Sequence, residues 1–500
     1  FAPNTGPAAG ITVGSTLPGG GTAVADDSSL NVFLNDGADP SFGIGSQLTI
    51  QNFTAGTSLS LDPTKIITSF SSKSEGALSF STDGTSLVFM GYAPNSTSSS
   101  GVGQEDISNA NTPNHVDPSN PVTSPNTQRA VAVLNANGTM SVTDVNAYSG
   151  NNGRAAILAN NVDGTGVNNI YMVGNAGNGS GTEPNNIVNN TGVQMIQQGS
   201  SGESTVVGAQ QGTAGNKNGY QFGFSVTQTG AAADKSGKDD NFRGETVFNN
   251  TLYVTKGSGG NGIDTVYQVG TAGSLPTAGT ASSTAINILP GFNQNLAGTK
   301  ITAANAATAN FHPFGLFFAN STTLYVADEG DGTLSDIAGG LDPNAGLEKW
   351  SLVNGTWKLD YTLRSGLIGN TYSPNGMIIS GQQVHITTDG LRNLAGKVNA
   401  DGTVSLYATT ATLDDAASGF DAGADPNQLV EISDTLADTT AAQASGESFN
   451  ILETAAAGEV LRGVAVATPV PEATTWGAGI GLMGLVALFG KFFRRKQPTA

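Results

Sequence analysis

The chain contains no cysteine among its 500 residues and has only three histidines. Without cysteine it can form neither disulfide bonds nor a thiol-based catalytic site. The histidines are His115, His312 and His385, and no two of them show the spacing of a zinc-hydrolase motif. The sequence therefore gives little support to a zinc enzyme, although distant histidines could still meet in the fold.

Positive charge is also scarce. Twenty Lys and Arg stand against 39 Asp and Glu, which gives a net charge of −19, and charged residues make up 12 % of the chain. Binding to a nucleic-acid backbone depends on a patch of basic residues, so this balance argues against a nucleic-acid partner. The Gly-rich stretches lack the Lys and the following helix of a phosphate loop, and no Gly-x-Ser-x-Gly elbow stands between a strand and a helix.

Short β-type runs separated by turn residues fill most of the chain, and 38 % of the residues are hydrophobic. The clearest hairpin is residues 76–92, where two alternating strands flank Asp83-Gly84. Strands that open such hairpins recur near residues 76, 154, 243, 314, 391 and 461, at intervals of 70 to 89 residues. This near-constant spacing predicts repeated units of four strands each.

The predicted fold class is all-β, with residues 21–468 forming a β-propeller of six or seven four-stranded blades behind a Gly/Pro-rich lead-in at residues 1–20. The last strand, 461–467, has no following partner, so we expect it to pair with the N-terminal strands at 30–53 and close the ring. Two leftover segments, 220–227 and 375–387, are either insertions or a seventh blade. A set of β-sandwich domains is the alternative.

The last thirty residues have three ordered parts: a Pro-Glu element, an apolar run and a basic end. The residues concerned are Val470, Pro471, Glu472, Trp476, Arg494, Arg495 and Lys496. Residues 476–493 would make a helix of roughly 27 Å at about 1.5 Å per residue, close to the roughly 30 Å of a hydrocarbon core. The sequence therefore predicts one C-terminal transmembrane helix with its basic end in the cytoplasm.

This order of features in residues 469–500 resembles the PEP-CTERM sorting signal of exopolysaccharide-producing Gram-negative bacteria. The resemblance implies that an exosortase, a membrane-embedded transpeptidase, is a partner and cuts near the Pro-Glu element. Ala473 stands where the family usually has a second Pro, which puts cleavage in question. The body also resembles secreted bacterial propeller-type proteins of unassigned function, on stretches such as TLYVADEG and LRGVAVA.

The expected location follows from this tail. The chain begins at Phe1, and we therefore expect that a signal peptide has been removed from it. We expect an inner-membrane-anchored precursor and then release to the cell surface or extracellular matrix of a Gram-negative bacterium. Exopolysaccharide is an expected partner there, and a homo-oligomer is compatible with the sequence.

Four of the scarce arginines stand at the starts of predicted inner strands, which face the central channel of a propeller: Arg154, Arg243, Arg392 and Arg462. Guanidinium groups that converge in a channel could bind an anionic ligand such as a uronate through bidentate contacts. The alternative is structural, with each Arg pairing with an acidic residue or capping carbonyls of a neighbouring blade. The sequence favours the structural interpretation.

Acidic residues on Gly-containing loops suggest a weak Ca²⁺ candidate at Asp328, Glu329 and Asp331. The stretch does not fit an EF-hand, and solvated turn residues are the favoured interpretation. No other cofactor is predicted.

The sorting signal, together with the lack of a recognisable catalytic motif, predicts a non-catalytic binding or structural role as an exported surface or matrix protein. The alternative is an extracellular propeller enzyme, a hydrolase or lyase, that acts on an anionic polysaccharide or another carboxylate ligand from the Arg-lined channel.

Overall fold

The computed structural model describes residues 31–467 with gaps at 40–43, 53–56, 63, 70–71, 73, 95–109, 119–125, 136–137, 163, 165, 178–184, 209–225, 228–239, 260–261, 295–310, 340–341, 375–376, 380–381 and 416–424. The predicted sorting signal and its helix lie outside the described residues. No helix in the described part of the chain is both long enough and apolar enough to cross a membrane.

Twenty-eight strands make up most of the described structure. In chain order they are β1 (Asn31–Asp39), β2 (Ile44–Asn52), β3 (Thr57–Ser60), β4 (Leu78–Phe80), β5 (Ser86–Tyr92), β6 (Arg129–Asn135), β7 (Met140–Val145), β8 (Gly153–Ala159), β9 (Asn169–Gly174), β10 (Gly192–Gln197), β11 (Thr205–Val206), β12 (Val226–Thr227), β13 (Phe242–Phe248), β14 (Thr251–Lys256), β15 (Thr265–Val269), β16 (Ile286–Ile288), β17 (Pro313–Asn320), β18 (Thr323–Asp328), β19 (Gly346–Val353), β20 (Thr356–Leu363), β21 (Thr371–Tyr372), β22 (Ile378–Ile379), β23 (Gln382–Gln383), β24 (Ile386–Val398), β25 (Thr403–Asp414), β26 (Gln428–Thr435), β27 (Asn450–Thr454) and β28 (Glu459–Val466). Helices are short: α1 (Asn185–Val188), α2 (Leu334–Gly339) and two 3₁₀ turns, Ala281–Ser283 and Gln443–Gly446.

The strands form antiparallel sheets whose members follow one another along the chain. The first sheet is β4–β7, the second β8–β11, the third β13–β16 with β12 added at its edge, the fourth β17–β20, and the fifth β24–β27 with β21 added. The closing sheet has the order β28-β1-β2-β3, and β22 and β23 form a small ribbon. The fold is therefore all-β and propeller-like, as predicted.

The predicted closure is confirmed. Strand β28, near the C-terminal end of the described chain, pairs antiparallel with β1, and β1 pairs with β2. This pairing leaves neither chain end with an open strand edge in the ring.

The predicted six or seven blades of four strands differ from the structure. Of the seven described sheets, four have four strands, two have five and one has two. The two leftover segments explain most of the difference, because residues 226–227 add a parallel edge strand to the third sheet, and residues 378–379 and 382–383 form the ribbon. Both are additions to the repeat and not a further full sheet.

Each pair of neighbouring large sheets encloses its own apolar cluster. In β9, Tyr171 and Val173 pack toward the third sheet, whereas Ile170 and Met172 pack toward the first. Successive side chains on a strand point to opposite faces, so a strand covered on both faces must be apolar at consecutive positions. This is why β5, β8 and β9 are buried along their whole length.

The innermost strands touch in ring order: β4, β8, β13, β17, β24, β28 and back to β4. Glycine permits this approach at the narrow centre. A Cβ at Gly244 would lie 2.1 Å from the carbonyl oxygen of Phe314 in the next sheet, and a Cβ at Gly463 would lie 2.1 Å from the backbone nitrogen of Leu78. Any larger residue at either position would push neighbouring sheets apart.

Candidate functional site

A charged cluster lies at one end of the ring, where the innermost strand of each sheet begins. Each of the six large sheets contributes one charged side chain, which lies either in the sheet or in a segment next to one of its strands. Each of these side chains belongs to a residue that is at most 7 % exposed: Glu75, Arg154, Arg243, Glu329, Arg392 and Arg462. We call this set the charged end. The four arginines are those that the sequence singled out, and the structure brings them together with two glutamates.

Each of the four arginines falls at an irregularity in the pairing of its innermost strand. The register shifts between Gly153 and Ala155, between Phe242 and Glu245, and between Leu391 and Leu394. A fourth register shift lies between Leu461 and Val464, in the pairing of β28 with β1. A β-bulge turns a side chain away from its regular alternation, and bulges are common next to active sites. In four of the six large sheets an arginine thus lies at a bulge of the innermost strand, and β17 has a shift between Pro313 and Leu316 without an arginine.

Arg154 and Arg243 bring two positive charges close together. Burial lowers the pKa of Arg154 well below its usual value, and the charge of Arg243 lowers it further, while Glu75 and Glu329 oppose the shift. Arg154 donates from Nη1 to the carbonyl oxygen of Phe242 at 2.9 Å and from Nε to the hydroxyl of Ser74 at 2.9 Å. Two buried like charges favour an anion between them.

The other two arginines join neighbouring sheets. Arg462 donates to the carbonyl oxygens of Ser69 and Ser72, which lead into the first sheet. Arg392 forms an ion pair with Glu329, with 3.1 Å between Nε and Oε2. Arg154, Arg392 and Arg462 thus make contacts of the kind that the structural interpretation expects, because each caps carbonyls or pairs with an acid of an adjoining sheet.

Sequence reasoning missed Glu75, which accepts a hydrogen bond from the phenol of Tyr92 and one from the backbone N–H of Ser69. Burial raises the pKa of Glu75 to about 7, although the Tyr92 hydrogen bond and the charges of Arg129 and Arg462 act against the rise. Glu75 is therefore partly protonated at neutral pH. Its only signal in the sequence was a single acidic residue just before the strand of the clearest hairpin.

His312 lies beside the charged end, immediately before β17, and is half-buried. Its Nδ1 is 2.9 Å from the carbonyl oxygen of Gly257, and its backbone N–H donates to Asp328 at 2.7 Å. Burial alone would lower its pKa, but Asp328, Asp264 and Asp342 outweigh burial and raise it to about 9. The imidazole is therefore protonated at neutral pH.

Buried carboxyl groups surround this histidine. Burial and the charge of Asp342 raise the pKa of Asp328 to about 7, and His312 opposes the rise. Burial raises the pKa of Asp389 to about 8 and raises that of Glu348 well above its usual value. Such perturbed groups in one place are typical of sites that handle protons.

The three residues of the calcium candidate have different partners. Asp328 accepts from the backbone N–H of His312 and of Gly330, Glu329 pairs with Arg392, and Asp331 accepts from the N–H of Thr333. Across the described residues, no group of three or more His, Asp or Glu is arranged to hold a metal ion. Calcium binding stays a prediction that calorimetric titration of chelator-treated protein would test.

The three histidines do not form a common site. His115, which the sequence placed in an irregular loop, is 7 % exposed; its Nδ1 is 2.9 Å from Asn190 and its Nε2 is 3.1 Å from a carboxylate oxygen of Glu203. His385 pairs with Asp415 at 2.8 Å on the surface. His115 and His385 thus each have separate polar partners, and His312 is the histidine that adjoins the charged end.

No protein family model and no curated protein matches the chain. Among solved structures it resembles a candidate 6-phosphogluconolactonase of Bacteroides uniformis, with 10 % identity, a TM-score of 0.32, and 81 % of this chain and 92 % of that chain covered. It also resembles the periplasmic gluconolactonase of Pseudomonas aeruginosa, with 12 % identity, a TM-score of 0.32, and 85 % and 100 % covered. A candidate 6-phosphogluconolactonase of Bacteroides fragilis follows with 12 % identity, a TM-score of 0.26, and 79 % and 94 % covered.

These neighbours contradict the main functional prediction. The sequence favoured a non-catalytic binding or structural role, whereas all three structures are described as lactonases, which are enzymes. The prediction was wrong because it rested on the lack of a contiguous catalytic motif, and the charged groups of this fold come from separate sheets. Likeness at these TM-scores carries no argument about any reaction of this chain.

The buried carboxyl of Glu75 makes a pH-dependent contribution to stability that can be measured. Its pKa is raised from 4.5 to about 7 in the folded chain, so folding favours its protonated form. The stability that the protonated carboxyl contributes is therefore fully present below pH 4.5 and is lost as the pH rises toward 7. We predict a loss of about 3 kcal/mol from this group over that range.

Glu75→Gln should remove this part of the pH dependence. Denaturant unfolding at a series of pH values should show the variant gaining stability relative to the wild-type chain between pH 4.5 and 7. Glu431→Gln, at a half-buried position on β26, serves as the control. Parallel pH profiles for Glu75→Gln and the wild-type chain would contradict the assignment.

Proposed function

We propose that the chain is an exported enzyme, a hydrolase or lyase, that acts on a carboxylate-bearing carbohydrate at the charged end of the ring. The observation that carries the proposal is the repeated β-bulge, which presents an arginine from each of four sheets at one place.

The ligand class follows from the charge of this cluster. Arg154 and Arg243 are both buried and lie close enough for each charge to disfavour the other. A carboxylate placed between them would neutralise this repulsion and accept paired hydrogen bonds from the planar guanidinium groups. Uronates, aldonates and the carboxylates released from lactones all carry such a group.

His312 is the candidate general acid. It is half-buried and lies immediately before β17, which packs against the strand of Arg243, and its neighbouring carboxyl groups outweigh burial and raise its pKa to about 9. Its Nδ1 contact with Gly257 fixes the ring and leaves Nε2 for the ligand. In hydrolysis or elimination it would donate its proton to the oxygen that leaves the substrate.

Arg243→Gln tests the proposal. We predict that the wild-type chain converts a substrate in a panel of uronic-acid oligosaccharides, and that the variant loses about 10- to 100-fold in kcat/KM, because a charge-assisted contact to the carboxylate is lost. Product release would be followed by reducing-end and unsaturated-product assays.

Lys358→Gln is the matched control, because it removes one positive charge from an exposed position on β20 of the fourth sheet. It should behave as the wild-type chain does. The proposal fails if Arg243→Gln retains wild-type activity, or if the folded wild-type chain neither converts nor binds any member of the panel.

We further propose that the enzyme is exported through its C-terminal signal. The support is the order of Pro471-Glu472, the apolar run 476–493 and the basic end, all of which lie outside the described residues. In this proposal the tail is held in the inner membrane, an exosortase removes it, and the body works at the cell surface or among exopolysaccharide.

Mass spectrometry of the C-terminal peptide, comparing cell-envelope and secreted fractions of the native host, tests this route. We expect the secreted protein to end near Pro471-Glu472. Secreted protein that retains Arg494 and Arg495 would exclude processing at this element.

A further inference from the structure

A cleft lies outside the charged end. It has a volume of about 730 Å³ and lies between helix α2, the turn that follows β20 and the start of β24. This volume is within the roughly 300–1,000 Å³ of sites that bind small molecules. None of the six residues of the charged end, and not His312, lines it.

One wall of the cleft is apolar. Leu334 and Ile337 on α2 face Ile368 in the turn after β20, and all three are half-buried. Gly369 in this turn has a φ of +76°, a conformation that favours glycine, and it lies next to Ile337. An apolar ligand body that covered these side chains would remove their surface from water, which is favourable.

The opposite side supplies a cation and hydroxyl groups. Arg364 lines the cleft, and its guanidinium makes no hydrogen bond or ion pair with any described residue. The hydroxyls of Thr371 and Thr387, 3.1 Å apart, also line it. Burial raises the pKa of the nearby Asp342, and the charge of Arg364 acts against that rise.

We propose that this cleft binds a small carboxylate that has an apolar body. Arg364 would hold the carboxylate, the threonine hydroxyls would complete its hydrogen bonds, and the chain or ring of the ligand would cover Leu334, Ile337 and Ile368. The site is separate from the proposed active site, and the ligand differs from a sugar acid in its apolar body.

Calorimetric titration with octanoate tests the site, with octanamide as the uncharged probe of the same shape. We expect octanoate to bind the wild-type chain with one saturable event and to bind Arg364→Gln about 10- to 100-fold more weakly. Octanamide should bind the wild-type chain as weakly as octanoate binds the variant. Lys358→Gln should bind octanoate as the wild-type chain does.

Ile337→Ser provides a second measurement on the apolar wall, and it should weaken both probes together. The proposal is overturned if octanoate binds Arg364→Gln as tightly as the wild-type chain, or if the folded wild-type chain shows no saturable binding. Loss of affinity in Lys358→Gln as well would indicate general attraction to positive charge and would also overturn it. Because Arg364 lies outside the charged end, uronate binding there should be unchanged in Arg364→Gln, so failure of one proposal is distinguishable from failure of the other.

Discussion

The structure depends on one constraint: every central strand of the large sheets must be covered on both faces. Alternate side chains of β9 reach the first and third sheets in turn, and the same division recurs between each pair of neighbours around the ring. A sheet of this kind is stable only with a neighbour on each side, so the series must close on itself. The pairing of β28 with β1 supplies that closure and makes the two ends of the described chain part of one sheet.

Closure also creates the site. The innermost strands converge on a narrow centre, where Gly244 and Gly463 remove side chains that would clash with the next sheet. At the same level a bulge in four of these strands turns an arginine inward. Arg462 and Arg154 then bind carbonyls of adjoining sheets, so the groups that create a positive centre also hold the ring together. The residues of the proposed site therefore also have a structural role.

Much of the fold could be predicted from the sequence because its signals are local. Turn pairs such as Asp83-Gly84 and the even spacing of hairpins indicated the repeat, and the unpartnered strand at 461–467 indicated closure. The four arginines were placed correctly at the innermost strands. Glu75 and His312 were missed as site residues because their surroundings come from distant segments, such as Tyr92 for Glu75 and Gly257 for His312, and a bulge has no reliable signature in sequence.

The central claim is that the charged end binds a carboxylate between Arg154 and Arg243. A crystal structure of the protein soaked with glucuronate tests it most directly. The account predicts the sugar carboxylate within hydrogen-bonding distance of both guanidinium groups, with His312 facing the ring or its anomeric oxygen. A fully occupied ligand found elsewhere, or a charged end that stays empty at saturating glucuronate, would contradict it.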